Sequence, residues 1–199
     1  GTVGNILDGS CDGTMACYTV AYGGGTVGNI QGSCQGTNAC DGICKNGGTV
    51  GYITSSCIGS YACQDAGLQG AVGNIVNSCT VENSCGYIGG EGGAAGNIQD
   101  SCTGKYACDH LAYGGIAGNI QGSCTAYAAC DDAARNSGSI GDITSSCNAV
   151  SACAAAGDSV ADAIVSNLNN CCNSAEKVCF ETTGATLPAE CAVRRALEL

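Results

Sequence analysis

The sequence predicts an all-β fold: a disulfide-braced β-helix, a solenoid of about seven 22–23-residue coils with a small helical cap at the C-terminal end. Three observations carry that expectation. The cysteines Cys11, Cys34, Cys57, Cys79, Cys102, Cys124 and Cys147 recur at steps of 23, 23, 22, 23, 22 and 23 residues. Each is followed six residues later by a second cysteine, at Cys17, Cys40, Cys63, Cys85, Cys108, Cys130 and Cys153. Between the pairs the same short segments return, and an isoleucine column runs without exception through Ile6, Ile30, Ile53, Ile75, Ile98, Ile120 and Ile143. A fixed period of this size marks units that cannot bury an apolar face alone and do so by stacking.

Coils open at positions 1, 25, 48, 70, 93, 115 and 138, so 1–157 form the repeat domain. The first coil carries one extra residue between Ile6 and Cys11. The first strand of each coil lies on the column Val3, Val27, Val50, Val72, Ala95, Ala117, Ile140. A glycine column (Gly4, Gly28, Gly51, Gly73, Gly96, Gly118, Gly141) follows it, and then an asparagine column at Asn5, Asn29, Asn74, Asn97 and Asn119, broken by Tyr52 and Asp142. Gly-Asn is turn chemistry. The expectation is a corner whose side-chain amides hydrogen-bond from coil to coil, leading into a second strand on the isoleucine column. Another column keeps a small side chain beside the second cysteine: Ala16, Ala39, Ala62, Ser84, Ala107, Ala129 and Ala152. Strands this short stack at a spacing of about 4.8 Å, so seven coils make a rod on the order of 34 Å long. A leucine-rich or helical repeat competes as an architecture, but scarce leucine and abundant glycine count against it.

From Gly157 the pattern fails. Over Ser159 to Leu168, the residues Val160, Ile164 and Leu168 fall at i, i+4 and i+8, with Asp158 or Ser159 as N-cap, which reads as a short amphipathic helix. Leu187-Pro188-Ala189-Glu190 can start another, with Pro188 in its first turn. The segment 158–199 is therefore expected to be a partly helical cap over the last coil, held by Cys171, Cys172, Cys179 and Cys191. No such cap precedes the first coil. Val3 and Ile6 are accordingly a candidate docking edge for end-to-end contact with a second copy.

Composition agrees with a narrow interior. The 199 residues include 33 Gly and 19 Cys but one Pro, one Phe, one Met and no Trp. Cysteine at this density points to a disulfide scaffold in an oxidising, extracellular compartment. A zinc protein would want C-x2-4-C or Cys/His spacings, whereas this chain has one histidine and a uniform C-x5-C. A formal charge of −11 argues against nucleic acid and anionic membranes as partners. No run of about 18 apolar residues is present, so no transmembrane helix is expected. A chain that opens at Gly1 without a leader reads as a processed form or an excised fragment.

The C-x5-C cysteines have two geometrically allowed pairings, within a coil or up a column between neighbours about 4.8 Å apart. Parity favours the first, because seven-membered columns always leave one cysteine over. Pairing Cys11 with Cys17, Cys34 with Cys40 and so on closes every coil; each short loop is worth about 2 kcal/mol, and seven about 15. The odd total of 19 leaves at least one thiol unpaired or intermolecular. Cys44 is the candidate, four residues after Cys40 where other units carry Ala21, Ala66, Ala112 or Ala156.

Chemistry-bearing residues are few. His110 has no serine or cysteine that recurs beside it as a catalytic partner. Asp109, Asp131 and Asp132, with Asp41 and Asp65 in similar places, follow the second cysteine. They suit a polysaccharide-cleaving groove of paired carboxylates or weak calcium binding, and a solvated edge accounts for them more simply. Tyr61 and Tyr106 share one column and Tyr22 and Tyr113 another; surface positions are expected, with sugar stacking or cross-linking as the functional reading. No cofactor, metal or catalytic residue is assigned, and an enzyme is not expected.

The tandem pattern G-x-[VAI]-G-N-I-x-x-S-C-x-G-x-x-A-C, spanning about 1–156, resembles the short Cys-rich repeat proteins of microalgal surface and secreted proteomes. The resemblance implies an extracellular setting and no activity; Tyr52, Val81 and Ala126 depart from it. The function expected is structural: a rigid rod in a wall, sheath or filamentous appendage, whose partner is itself or another matrix or surface protein. Ice binding is the first alternative. Its best candidate rank, Thr2, Thr26, Thr49, Ala71, Ala94, Ile116 and Ser139, loses threonine after three coils. A carbohydrate-binding adhesion module is the second.

Overall fold

The structure, a computed structural model, describes residues 1–135, 137–154, 156, 164–165 and 167–173. Its strands are all two residues long. In chain order they are β1 (Thr2–Val3), β2 (Thr26–Val27), β3 (Ile30–Gln31), β4 (Thr49–Val50), β5 (Ile53–Thr54), β6 (Ala71–Val72), β7 (Ile75–Val76) and β8 (Ala94–Ala95). They continue as β9 (Ile98–Gln99), β10 (Ile116–Ala117), β11 (Ile120–Gln121), β12 (Ser139–Ile140), β13 (Ile143–Thr144), β14 (Ile164–Val165) and β15 (Leu168–Asn169). The first strands of successive coils form one parallel sheet in the order β1-β2-β4-β6-β8-β10-β12-β14. The second strands form another, from β3 through β5, β7, β9, β11 and β13 to β15. Register follows the sequence columns, as in Thr26↔Thr49 and Ile30↔Ile53. In the first coil, with its extra residue, the second strand shrinks to a single bridge, Ile6↔Ile30.

Alternation along each strand sends one side chain out and the next in. Val27, Val50 and Val72 point inward from the first sheet, and Ile30, Ile53, Ile75, Ile98, Ile120 and Ile143 from the second, all buried. The third side of each coil is a chain of turns, with 3-10 turns at Tyr22–Gly24 and Lys45–Gly47. It bends through left-handed residues at fixed steps: in the fifth coil these are Cys102, Tyr106, His110 and Ala112. These bends are held by the neighbouring coils: the His110 N–H donates to the Gly86 carbonyl of the coil before at 2.9 Å, and the Cys102 and Ala112 N–H groups donate to Ser123 O and Ala133 O of the coil after at 3.1 and 2.7 Å. Seven disulfides (Cys11–Cys17, Cys34–Cys40, Cys57–Cys63, Cys79–Cys85, Cys102–Cys108, Cys124–Cys130 and Cys147–Cys153) cross the turn side, each within one coil, with Cα separations of 5.3 to 5.6 Å.

Two side-chain ladders join the coils. At the corner after the glycine column, the Asn5 N–H donates to Asn29 Oδ1 at 2.9 Å, and Asn74, Asn97, Asn119 and Asp142 hand on the same bond to Asn97, Asn119, Asp142 and Asn167. Asp142 fits the ladder because only the acceptor oxygen is used. Tyr52 has no such oxygen and interrupts it. The second ladder is a buried file of hydroxyls at Ser33, Ser56, Ser78, Ser101, Ser123 and Ser146, all at 0 % exposure. Each hydroxyl donates to the carbonyl two residues before it and accepts the N–H of the serine in the next coil; for Ser78 the distances are 2.7 Å to Val76 O and 3.1 Å from Ser101 N. In the sequence these serines are part of the period alone; their burial is a finding of the structure. A buried hydroxyl with all partners met contributes modestly, but removing it strands its neighbours. Ser78→Ala should therefore cost about 1–3 kcal/mol in denaturant unfolding, whereas Ser78→Cys should cost less. Cys171 occupies the next place in this file and keeps the serines' contacts: its N–H donates to Ser146 Oγ at 2.9 Å and its sulfur lies 3.2 Å from Asn169 O.

The expected helix over Ser159 to Leu168 is not formed where the chain is described: Ile164–Val165 and Leu168–Asn169 are strands. Ile164 pairs with Ser139 and Leu168 with Ile143, so the described residues 164–165 and 167–173 extend both sheets by one strand, as the strands of an eighth coil. The four-residue step from Ile164 to Leu168, read as helical, is also the step from Thr26 to Ile30 across the corner of every coil. What decides between them is the open edge of the coil before. Its groups are satisfied by Leu168 N–H to Asp142 O at 2.8 Å and by the Asn167 amide oxygen accepting from Asp142 N at 2.9 Å. Cys172 takes the place of the first cysteine of a coil and is disulfide-bonded. The expected second helix from Leu187, Cys179 and Cys191 lie outside the described residues.

Candidate functional site

The turn side gathers the polar chemistry. Coils five and six present Asp109, His110, Asp131 and Asp132 around a cavity of about 460 Å3, which Tyr106, Tyr127 and Arg135 complete. The stacking of coils makes this arrangement. Asp109 and Asp131 occupy the position after the second cysteine, His110 and Asp132 the next one, and the Asp132 N–H donates to Asp109 O at 3.0 Å, which locks the register. His110 Nδ1 lies 3.5 Å from Asp109 Oδ2 and 4.0 Å from Asp132 Oδ1. The imidazole stacks on the Tyr87 ring of the coil before, with centroids 5.0 Å apart and planes 2° from parallel, and Tyr113 meets it edge-on at 5.5 Å. Arg135 binds Asp132 Oδ2 at 2.9 Å and lies over Tyr113.

Not every candidate converges here. Asp41 accepts from the Thr19 hydroxyl at 2.8 Å, and Asp65, raised by burial, faces Lys45 and Tyr87 instead. Tyr61 and Tyr22 are exposed on earlier coils, while Tyr106 packs edge-on against Tyr127 at 5.8 Å. Val3 and Ile6, the expected docking edge, are 38 % and 51 % exposed where their equivalents Val27 and Ile30 are 1 % and 0 %. That difference comes from lying on the first coil, at the edge of both sheets. Cys44 carries a free, wholly buried thiol that burial pushes up to about 12. A bond from it to a second chain would first require the coil to open. Its column is also corrected: the bonds Ala21 N to Ile43 O, Cys44 N to Ala66 O and Ala112 N to Ala133 O align it with Ala21, Gly67, Gly89 and Ala112, while Ala66 and Ala156 sit one position earlier.

The carboxylates repel one another. Burial, followed by the charges of Asp132 and Asp109, pushes the Asp131 carboxyl from 3.8 up to about 6. The hydrogen bond to Asp109 raises His110 against the opposing effect of its burial. Both shifts act on stability in one direction. A carboxyl raised in the folded chain keeps its proton between 3.8 and about 6, so folding weakens as pH rises through that window. A raised histidine stabilises fully below its ordinary 6.5 and loses that contribution as pH rises through its folded value. Asp131→Asn should raise stability at neutral pH by about 1 kcal/mol, after discounting a half-exposed site for solvent screening, and flatten the decline above pH 4. Guanidinium unfolding with EDTA present, repeated across pH, checks this.

Comparison with protein families, curated proteins and solved structures finds no match. The chain is described by its own features: a Cys-rich tandem repeat of about 23 residues in a disulfide-braced β-solenoid. No helix among the described residues is long and apolar enough to cross a membrane.

Proposed function

We propose that this chain is a non-enzymatic extracellular structural protein, a stiff rod of a cell surface, wall or filamentous appendage. The observation that supports this most is the cross-linking density: every one of the seven repeats has its own disulfide, on top of two parallel sheets and two side-chain ladders. So many constraints per coil suit a load-bearing or protease-exposed setting. Cysteine usage and the repeat's resemblance to microalgal surface proteins add support for a secreted location. The oxidised protein is expected to stay uncut through coils one to seven under prolonged trypsin and pepsin digestion, and antibody labelling should place it in the wall or sheath. Rapid cleavage within coils, or diffuse release into the medium without particle association, would overturn the reading.

One observation favours ice binding as a second reading. The outward rank of the first sheet (Thr2, Thr26, Thr49, Ala71, Ala94, Ile116, Ser139) carries no charge and is flanked on both sides by glycine columns. At Gly28 an added Cβ would come within 3.0 Å of the Gly51 backbone, which shows how closely adjacent coils approach there. A thermal-hysteresis assay decides: activity that Thr49→Lys abolishes would replace the structural reading.

A further inference from the structure

We propose that Asp109, His110 and Asp131 form a binding site for a divalent transition-metal ion of the zinc class. One donor atom from each, an imidazole nitrogen and two carboxylate oxygens, lies within 4.8 Å of the other two. Tetrahedral zinc with bonds of about 2.0–2.1 Å spaces its ligands about 3.3 Å apart, so modest side-chain rotation in a half-buried site closes the set. Asp132 Oδ1, 4.0 Å from the same imidazole nitrogen, stands beside them for a fourth position or for a bound water's hydrogen bond.

Orientation is what separates this cluster from an ordinary acidic edge. The His110 ring is fixed between Tyr87 on its face and Tyr113 at its edge, which leaves Nδ1 directed at the carboxylates. Ligand rings held in this way by their surroundings are a general property of metal sites. Charge agrees, since three carboxylates share one guanidinium and Arg135 is engaged by Asp132. The donor set selects the ion. Imidazole with carboxylate suits zinc, copper or nickel, whereas calcium prefers six to eight oxygen ligands and no nitrogen. The other two groups of potential ligands among the described residues, Cys63 with Cys79 and Cys85 and Cys130 with Cys147 and Cys153, are disulfide sulfurs and offer no thiolate.

The chain's single histidine makes the test direct, because its imidazole C–H signals are unique in an NMR spectrum. Oxidised, EDTA-treated full-length protein is titrated with Zn2+ alone. A saturable shift of the His110 signals at one equivalent is expected, and isothermal titration should show the affinity falling at least about tenfold in His110→Ala and in Asp131→Asn. Asp41→Asn, on the same turn side but bonded to Thr19 three coils before the cluster, should leave the affinity unchanged, and circular dichroism should show all variants folded. Histidine signals that stay still in excess Zn2+ would overturn the proposal. So would equal affinity in wild type and His110→Ala, or Ca2+ binding as tightly as Zn2+.

Discussion

Chains unfolded in guanidinium, reduced and alkylated are expected not to recover the β-sheet signal when the denaturant is removed, whereas the oxidised protein should refold. Six of the seven bridges close coils whose cysteines are at 0 % exposure, so reduction has to be done on the unfolded chain. A seven-residue loop is worth about 2 kcal/mol by its effect on unfolded-chain entropy, and seven loops about 15, as much as the whole net stability of a typical domain. The sulfurs are also core filler in an interior that otherwise offers one Val, Ile, Leu or Ala per described strand, with Ile43, Ile88 and Leu111 from the turn side. Removal of one bridge by Cys102→Ala with Cys108→Ala should cost about 2–5 kcal/mol, a graded version of the same effect. Full recovery of the circular dichroism spectrum and melting temperature by the alkylated chain would show that backbone stacking and the serine and asparagine ladders are sufficient.

Much of this fold could be read from columns, because in a solenoid a column in the sequence is a stack in space. The isoleucine, valine and glycine columns correspond to the pairings Ile30↔Ile53 and Val27↔Val50, and the corner asparagines bond from coil to coil. Three features escaped for physical reasons. The serine before each first cysteine is as regular as everything around it, and nothing in its identity distinguishes a buried hydroxyl from a turn. The eighth coil hides behind substitutions, Leu168 for isoleucine and Cys171 for serine, and behind a four-residue step shared by helix and corner. The Asp109–His110–Asp131 cluster joins residues 21 or 22 apart, on a segment whose left-handed bends at Tyr106, His110 and Asp132 set side-chain directions that neither a period of 2 nor one of 3.6 describes.

The glycines at coil junctions should prove the least replaceable residues outside the bridges. Gly48 has φ −69°, a conformation open to any residue, so its identity is a matter of space. A Cβ built there would overlap the Gly67 carbonyl oxygen, where the end of the same coil passes its own start. Backbone meets backbone, and relief requires separating coils that are tied by Thr26 N–H to Gly48 O at 2.9 Å and Thr49 N–H to Gly70 O at 2.8 Å. Overpacking of an ordinary core costs about 1–3 kcal/mol because side chains move aside. Here none can, and Gly48→Ala is expected to cost more than about 4 kcal/mol. Gly32 is the opposite case. Its φ is +55° with nothing within 4 Å of an added Cβ, and the same corner is occupied by Ser55, Asn77, Asp100 and Ser145 in other coils. Left-handed backbone there costs a non-glycine residue about 1–2 kcal/mol and less for asparagine, so Gly32→Asn should change stability by under about 1 kcal/mol. Non-reducing guanidinium unfolding of the two variants side by side tests the distinction. A Gly48→Ala chain as stable as Gly32→Asn would mean that the coils can move apart, and that the junction glycines do not set their spacing.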